Sequence, residues 1–461
     1  MLDSTASNAA LPKGPPTLAA LWTLAWPVVL SRLGIMCMGV TDAIVVGRYS
    51  AEELGYQALG WGPTGVVVTT GVGLLMGVQV LTAQLVGEDR RIEAGAVLQR
   101  GLLLSLLVGL LATAVLIAGT PPLFRLLGHD PALAAGASEV VVILSLSMTP
   151  YLVSIVCSFW LEALERPKPG MYLMLLANMV NLALNIWLVP GTSPFAVDGA
   201  VASAWTTFFS RSVYAIALIF VILAWPEARS LGVFLVRKAA SWSTYWGRMM
   251  RVGWATAASY FVESGGFAGT TLIAGLMGAL SVAAFSITFN LAALVFMIPL
   301  GMSSATAVFV GKYYGRGDVE GIRSSGILGV GATFIFLLGL AAVIAFVPQL
   351  WAGAYTTDPE LLALVVPALL AACFFFPVDG LQVVTAASLR AADDNWMPTL
   401  THFISYNLVM LPAAWWFGLE LGYGVVGLVW VMCGVSILAA AFLISRFWWI
   451  TRSAAALPEA A

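Results

Sequence analysis

The chain has 461 residues, 60% of them hydrophobic and only 10% charged, against about 25% charged in an ordinary soluble domain. Its 21 Lys and Arg and 23 Asp and Glu are too few to clothe a soluble globule of this size, so the implied solvent is the bilayer. The net charge of −2 gives no sign of a nucleic-acid partner and leaves the placement of the charges to carry the information.

A polar stretch ending in KGPP precedes the first long apolar run, with no short hydrophobic segment followed by a small-residue cleavage site, so the first helix is expected to be retained. Apolar stretches of about 18 residues or more, broken at charged or Gly/Pro clusters, predict twelve membrane-spanning helices. They begin near residues 20, 55, 97, 137, 171, 197, 250, 281, 325, 361, 397 and 423. An even number puts both termini on one side. Seventeen Lys and Arg fall at the termini or the even-numbered connections, among them Arg90, Arg91, Arg166, Arg316 and Arg446, and two, Arg48 and Arg125, at the odd ones. Basic residues are retained in the cytoplasm during insertion, so both termini of this multi-pass protein are expected there. Cys37, Cys157, Cys373 and Cys433 lie in apolar runs without CxxC spacing and read as buried free thiols. Two histidines offer no metal-ligand cluster.

Sliding the chain along itself by 228 residues lays Trp26 over Trp254, Gly47 over Gly275, Gly73 over Gly301, Gly87 over Gly315 and Leu161 over Leu389. Six helices per half preserve orientation, so the halves are parallel repeats. The expected fold is an all-α membrane protein of twelve transmembrane helices in two six-helix lobes, related by a pseudo-two-fold axis along the membrane normal. The lobes are read as residues 1–225 and 247–461, joined by a basic, Trp-bearing interfacial linker over 226–246. Two such lobes facing each other make a cleft suited to alternating access.

An ionisable side chain in mid-membrane costs about 2.5–3.5 kcal/mol on insertion scales and needs a reason to be there. Three carboxylates qualify, Asp42 in helix one, Glu263 in helix seven and Asp379 in helix ten; they read either as hydrogen-bonded glue between helices or as groups that bind and release a coupling ion. Asn178, Asn181 and Asn185 share one face of helix five and form either inter-helix hydrogen bonds or a polar partner for Asp42. Arg32 and Arg211 read as snorkelling side chains, against pairing inside the cleft for Arg32 and neutralising a carboxylate for Arg211, and His402 reads as a satisfied packing residue rather than a proton relay. Trp61, Trp205, Tyr260, Phe285 and Phe296, with Asn290, are candidates for a cleft surface that receives flat cations.

The strings MGVTDAIVVGRYSAEELG, MIPLGMSSATAVFVGKYYGRGD and LQVVTAASLRAADDNWMPT resemble the multidrug and toxic compound extrusion (MATE) family, over nearly the whole chain. The resemblance implies the two-lobe fold of the MOP superfamily and efflux of varied, often cationic and aromatic, compounds driven by inward H⁺ or Na⁺ flow, with no further cofactor. The chain looks most like the NorM-type branch, in which Glu263 and Asp379 occupy the positions of the C-lobe cation-binding acids. Asp42 matches the helix-one aspartate, and Asn181 and Asn185 its helix-five partners. Several relatives carry tyrosines where this chain has Phe375 and Phe296. Losing two hydroxyl oxygens weakens a Na⁺ site but leaves a carboxylate able to carry a proton, which inclines the reading to H⁺. The alternatives are a flippase for a lipid-linked glycan, which needs a basic cleft for pyrophosphate, and a membrane-embedded enzyme, which needs a catalytic constellation that no HExxH or GxSxG supplies. The expected partners are small-molecule drugs or toxic cations and the surrounding lipid, with the monomer as working unit.

Overall fold

The computed structural model describes residues 16–128, 130–192, 194–235 and 242–452. Part of the 226–246 linker, with Arg237 and Lys238, and Lys13 in the N-terminal stretch lie outside the described residues. Twelve long helices follow one another among the described residues: α1 Leu18–Tyr49, α2 Ala51–Gly87, α3 Ala94–Leu126, α4 Pro131–Leu146 continued by Met148–Ala163, α5 Lys168–Leu188, α6 Gly199–Ala224, α7 Trp242–Leu276, α8 Ala279–Gly315, α9 Val319–Phe346, α10 Pro359–Ala391, α11 from Trp396 to Glu420, and α12 Gly424–Ile450. Ten are long and apolar enough to cross a membrane, with the two parts of α4 taken as one span. The other two are α7, whose first turns are polar, and α11, which is broken into segments.

Several helices begin a turn or more before their apolar stretch because capping residues set the start. Asp130 accepts from the backbone N–H of Ala132 and Leu133 ahead of Pro131, and Asp318 and Asp358 cap α9 and α10 in the same way. Helix α4 breaks at Ser147 because Pro150 has no N–H to give the carbonyl four residues back. Helix α11 widens into π turns over Phe403–Val409 and Trp416–Glu420, on either side of Pro412. Such turns are a recurrent feature of functional sites. The outer faces carry exposed Leu110, Leu111, Ile216, Phe220 and Ile335, surface that hydrocarbon solvates and water does not.

The described residues form two compact units. Leu30–Ala257 make one, and the remainder, with the first turns of α1, make the other. The division falls inside α1 and α7 and not at the linker, displaced from the 225 and 247 boundaries read from the sequence. Small residues are the physical reason. In α2, Gly73 and Gly77 form a GxxxG step against the first half of α7: a Cβ on Gly73 would lie 2.9 Å from the Cα of Ala257, and one on Gly77 would overlap the Met249 carbonyl. The repeat makes the same contact in the other unit, where a Cβ on Gly301 of α8 would lie 2.8 Å from the backbone N of Val29 of α1. Positions 29 and 257 are 228 apart, as are 73 and 301, so the duplicated residues make duplicated contacts. Gly77→Val is therefore expected to destabilise the protein by at least the ~1–3 kcal/mol of overpacking. Size-exclusion after heating in detergent reads this, and wild-type survival would show that the close approach is dispensable.

Leu75, Leu152, Val156 and Trp160 centre the core of the Leu30–Ala257 unit, with the Trp160 indole donating to the Ala94 carbonyl at 2.9 Å. Phe285, Leu369, Tyr406 and Leu428 centre the core of the other. All four cysteines are free; Cys157, Cys373 and Cys433 are buried, whereas Cys37, on α1, is exposed, contrary to the sequence reading.

Candidate functional site

In the Leu30–Ala257 unit, Asp42 is 1% exposed near the end of α1. Its Oδ1 accepts from Asn181 Nδ2 at 3.0 Å and Asn185 Nδ2 at 2.8 Å, both on α5, and its Oδ2 accepts from the Thr207 hydroxyl of α6 at 2.6 Å. Asn178, on the same α5 face, instead donates to the Met174 carbonyl. All three of these donors to Asp42 are neutral, and the side-chain oxygens of Asn181 and Asn185 are buried without a partner. Buried amide oxygens are costly to leave unpaired, and here they sit on the two side chains that hold a carboxylate.

Neither intramembrane arginine snorkels. Arg32 forms a buried ion pair with Glu162 of α4 at 3.1 Å, and Gln79 of α2 donates to the same carboxylate at 2.8 Å. Arg211, one turn beyond Thr207, donates to the Ser147 hydroxyl at 2.8 Å, in the break of α4, and lies over the rings of Tyr151 and Trp61. Trp61 is thus a face for a protein cation.

In the other unit, Asp379 lies two residues after Pro377 of α10 and is 5% exposed. Gln382 Nε2 donates to its Oδ1 at 3.2 Å, and Gln382 Oε1 meets His402 Nε2 of α11 at 2.9 Å. His402 Nδ1 lies 2.7 Å from the Ser259 hydroxyl of α7, which also accepts from Arg390 of α10 at 2.8 Å. Glu263, one turn beyond Ser259, places Oε2 3.9 Å from His402 Nδ1. The structure therefore draws Glu263 and Asp379 into one buried network. His402 is satisfied at both ring nitrogens, and buried Tyr406 packs edge-on against it.

The remaining aromatic candidates do not gather at one place. Trp205 stacks on Phe209 and, with Trp187, Phe195 and Leu184, lines an apolar cavity of about 550 Å³ beside α5 and α6. Tyr260 lies beside the Arg390 guanidinium. Phe285 is buried in the core against Phe289, so it is packing and not an open surface. Asn290 turns back to the Ser286 carbonyl, and Phe296 is half-buried. Phe375 is buried against Phe376.

Sequence reasoning missed Thr207, Gln382, Ser259, Arg390 and Glu162. Helical spacing would have found two of them: Ser259 is four residues before Glu263 and Gln382 three after Asp379, so each shares a face with a buried acid. The repeat would have found Glu162, which occupies the position of Arg390 one repeat earlier, as Ser31 does that of Ser259. Among the described residues no cluster of three His, Cys, Asp or Glu is placed to hold a metal ion.

A family model described as MatE matches residues 27–187 and again 255–416. The first residues of the two matches, 27 and 255, are 228 apart, the offset of the internal repeat. A probable multidrug resistance protein NorM of Caulobacter vibrioides is 46% identical over 440 residues, covering 95% of this chain and 93% of that one. Its namesake in Pseudomonas putida is 30% identical, covering 94% of each chain. Among solved structures, the eukaryotic MATE transporter AtDTX14 superposes with a TM-score of 0.86 at 15% identity, covering 95% of this chain and 97% of that one. An outward-facing multidrug resistance MATE family transporter of the MOP superfamily superposes with a TM-score of 0.85 at 20% identity, covering 97% and 98%.

Proposed function

The chain belongs to the MatE family, and from that premise we propose that it is a secondary antiporter of the bacterial inner membrane, with both termini cytoplasmic, that exports amphipathic, often cationic compounds in exchange for H⁺ or Na⁺. Multidrug efflux is what the NorM relatives are named for. The coupling groups are Asp42, supported by Asn181 and Asn185, and the pair Glu263 and Asp379.

The observation that carries this reading is a contrast among buried acids. Glu162 has a guanidinium on it. Asp42 and Asp379 have only neutral hydrogen-bond donors, and the partly buried Glu263 has an imidazole at 3.9 Å; Arg211 and Arg390 act on Asp42 and Glu263 by their charge from beyond ion-pair contact. A buried acid in direct contact with a fixed counter-charge is structural, whereas one contacted by dipoles alone is free to take a cation from solution. Binding an ion at any of the three alters the relative stability of the two access states, and competition with a cationic substrate suffices for exchange.

H⁺ is the preferred coupling ion at Glu263 and Asp379, because Phe375 and Phe296 offer no oxygen ligand. The Asp42 site favours Na⁺ more, since the unpartnered oxygens of Asn181 and Asn185 are the donors a hard cation takes. A lipid-linked glycan is disfavoured, because Arg32 is spent on Glu162 and Arg211 on Ser147 and two aromatic faces. Ethidium movement in proteoliposomes under an imposed pH gradient or an imposed Na⁺ gradient tests the reading. Movement that follows either gradient in antiport is expected, with H⁺ the stronger; movement indifferent to both contradicts it.

A further inference from the structure

The side chains between Arg390 and Asp379 form one hydrogen-bonded line whose direction is fixed from both ends. A guanidinium only donates, so the Ser259 hydroxyl accepts from Arg390 and keeps its own proton for His402 Nδ1. A carboxylate accepts, so Gln382 turns its NH₂ to Asp379 and its carbonyl to His402, whose Nε2 must carry the ring proton. Both ends demand the same ring: neutral, protonated on Nε2 and bare on Nδ1. All five residues are buried, and they join α7, α10 and α11. The titratable and charged groups around the ring are Glu263 from α7, Asp379 and Arg390 from α10, with Tyr260 of α7 beside that guanidinium, and Tyr406 from its own helix, while α12 adds the Ser436 hydroxyl, which meets both Tyr406, at 3.5 Å, and Asp379.

We propose that His402 is a positioning residue for ion coupling, one imidazole that holds Asp379 through Gln382 and is set beside Glu263 through Ser259, so that an ion taken up at one acid changes the hydrogen bonding offered to the other. No proton crosses Gln382, since an amide relays orientation and not charge. When Asp379 takes up a proton its new O–H is a donor, and when it takes up Na⁺ the ion attracts an amide oxygen in place of an NH₂; in either case Gln382 is driven to turn its carbonyl to Asp379, and the ring loses the group that holds its Nε2–H. The line also ends on Arg390, so occupancy at Asp379 bears on the Arg390 to Ser259 contact that ties α10 to α7. This inference rests on reading the chain as an ion-coupled transporter and adds to it a residue that touches neither the ion nor the drug.

The sequence contains two histidines, His129 and His402, so a His129→Gln background leaves a single imidazole to observe. Nitrogen NMR of isotope-labelled histidine in the purified protein is expected to show the neutral Nε2–H tautomer above neutral pH without Na⁺, and a change of tautomer on acidification or Na⁺ addition. In proteoliposomes, His402→Phe is expected to shift the H⁺ or Na⁺ concentration for half-maximal ethidium efflux by about tenfold, as loss of a supporting hydrogen bond does at other ion sites. The ethidium KM should hold, and His402→Gln, which keeps a donor and an acceptor, should recover most of the shift. An Nδ1–H tautomer at rest, a ring signal that ignores both ions, or a folded His402→Phe protein with wild-type ion dependence overturns the proposal. Should the wild type not move ethidium at all, the efflux reading fails, while the NMR experiment still decides the role of the ring.

Discussion

Glu263→Gln is expected to abolish gradient-driven efflux while the protein folds and melts no lower than the wild type. The side chain lies in mid-helix on α7 with no Lys or Arg paired to it among the described residues, and its nearest basic atom is His402 Nδ1 at 3.9 Å. An amide of the same shape keeps the packing and the capacity for neutral hydrogen bonds, and removes a group whose charged form costs about 2.5–3.5 kcal/mol to place in a membrane. Fold and function therefore separate at this position. Asp379→Asn behaves alike in transport, with a small stability loss where its new NH₂ meets Gln382. Thermal unfolding in detergent measured beside proteoliposome transport checks the pair. A protein that unfolds, or one that still concentrates ethidium against its gradient, would show that Glu263 is glue between helices.

Glu162→Gln is expected to do the reverse. Removing one partner of the buried pair leaves the Arg32 guanidinium with its charge uncompensated inside α1 and α4, which typically costs about 3–5 kcal/mol. Gln79, which also donates to Glu162, loses its carboxylate at the same time. Replacing both partners, Arg32→Gln with Glu162→Gln, should restore much of the lost stability because no unpaired charge remains. Melting temperatures of the two single variants and the double variant measure this. A single variant as stable as the wild type would mean that water reaches the pair and that the burial seen here is incomplete.

The twelve helices were legible in the sequence because hydrocarbon thickness imposes long apolar runs, and the duplication was legible in part because Gly73 and Gly301, at close helix contacts, tolerate no substitute. Asp42, Glu263 and Asp379 stood out because charge in an apolar run is costly. Their neighbours did not, since Thr207, Gln382 and Ser259 are neutral residues that any transmembrane helix carries. Only their spacing from an acid gives them meaning. The fates of Arg32 and Arg211 were hidden for another reason: snorkelling and burial are told apart by a partner on a different helix, and Glu162 and Ser147 lie more than 60 residues away. Composition marks residues 226–246 as a linker, whereas the packing changes sides inside α1 and α7, at Gly contacts that composition does not reveal.

Asp42, Glu263 and Asp379, none of them in direct contact with a Lys or Arg, are expected to couple transport, whereas Glu162, paired with Arg32, is not. The most direct test is ethidium movement in proteoliposomes, driven by a pH or Na⁺ gradient and, separately, downhill without one, for Asp42→Asn, Glu263→Gln, Asp379→Asn and the Arg32→Gln, Glu162→Gln double variant. The account predicts that the Glu263 and Asp379 variants lose gradient-driven movement, that Asp42→Asn loses at least its Na⁺-driven part, and that the double variant retains both. Gradient-driven movement that survives in all three single variants, or fails only in the double variant, would contradict it.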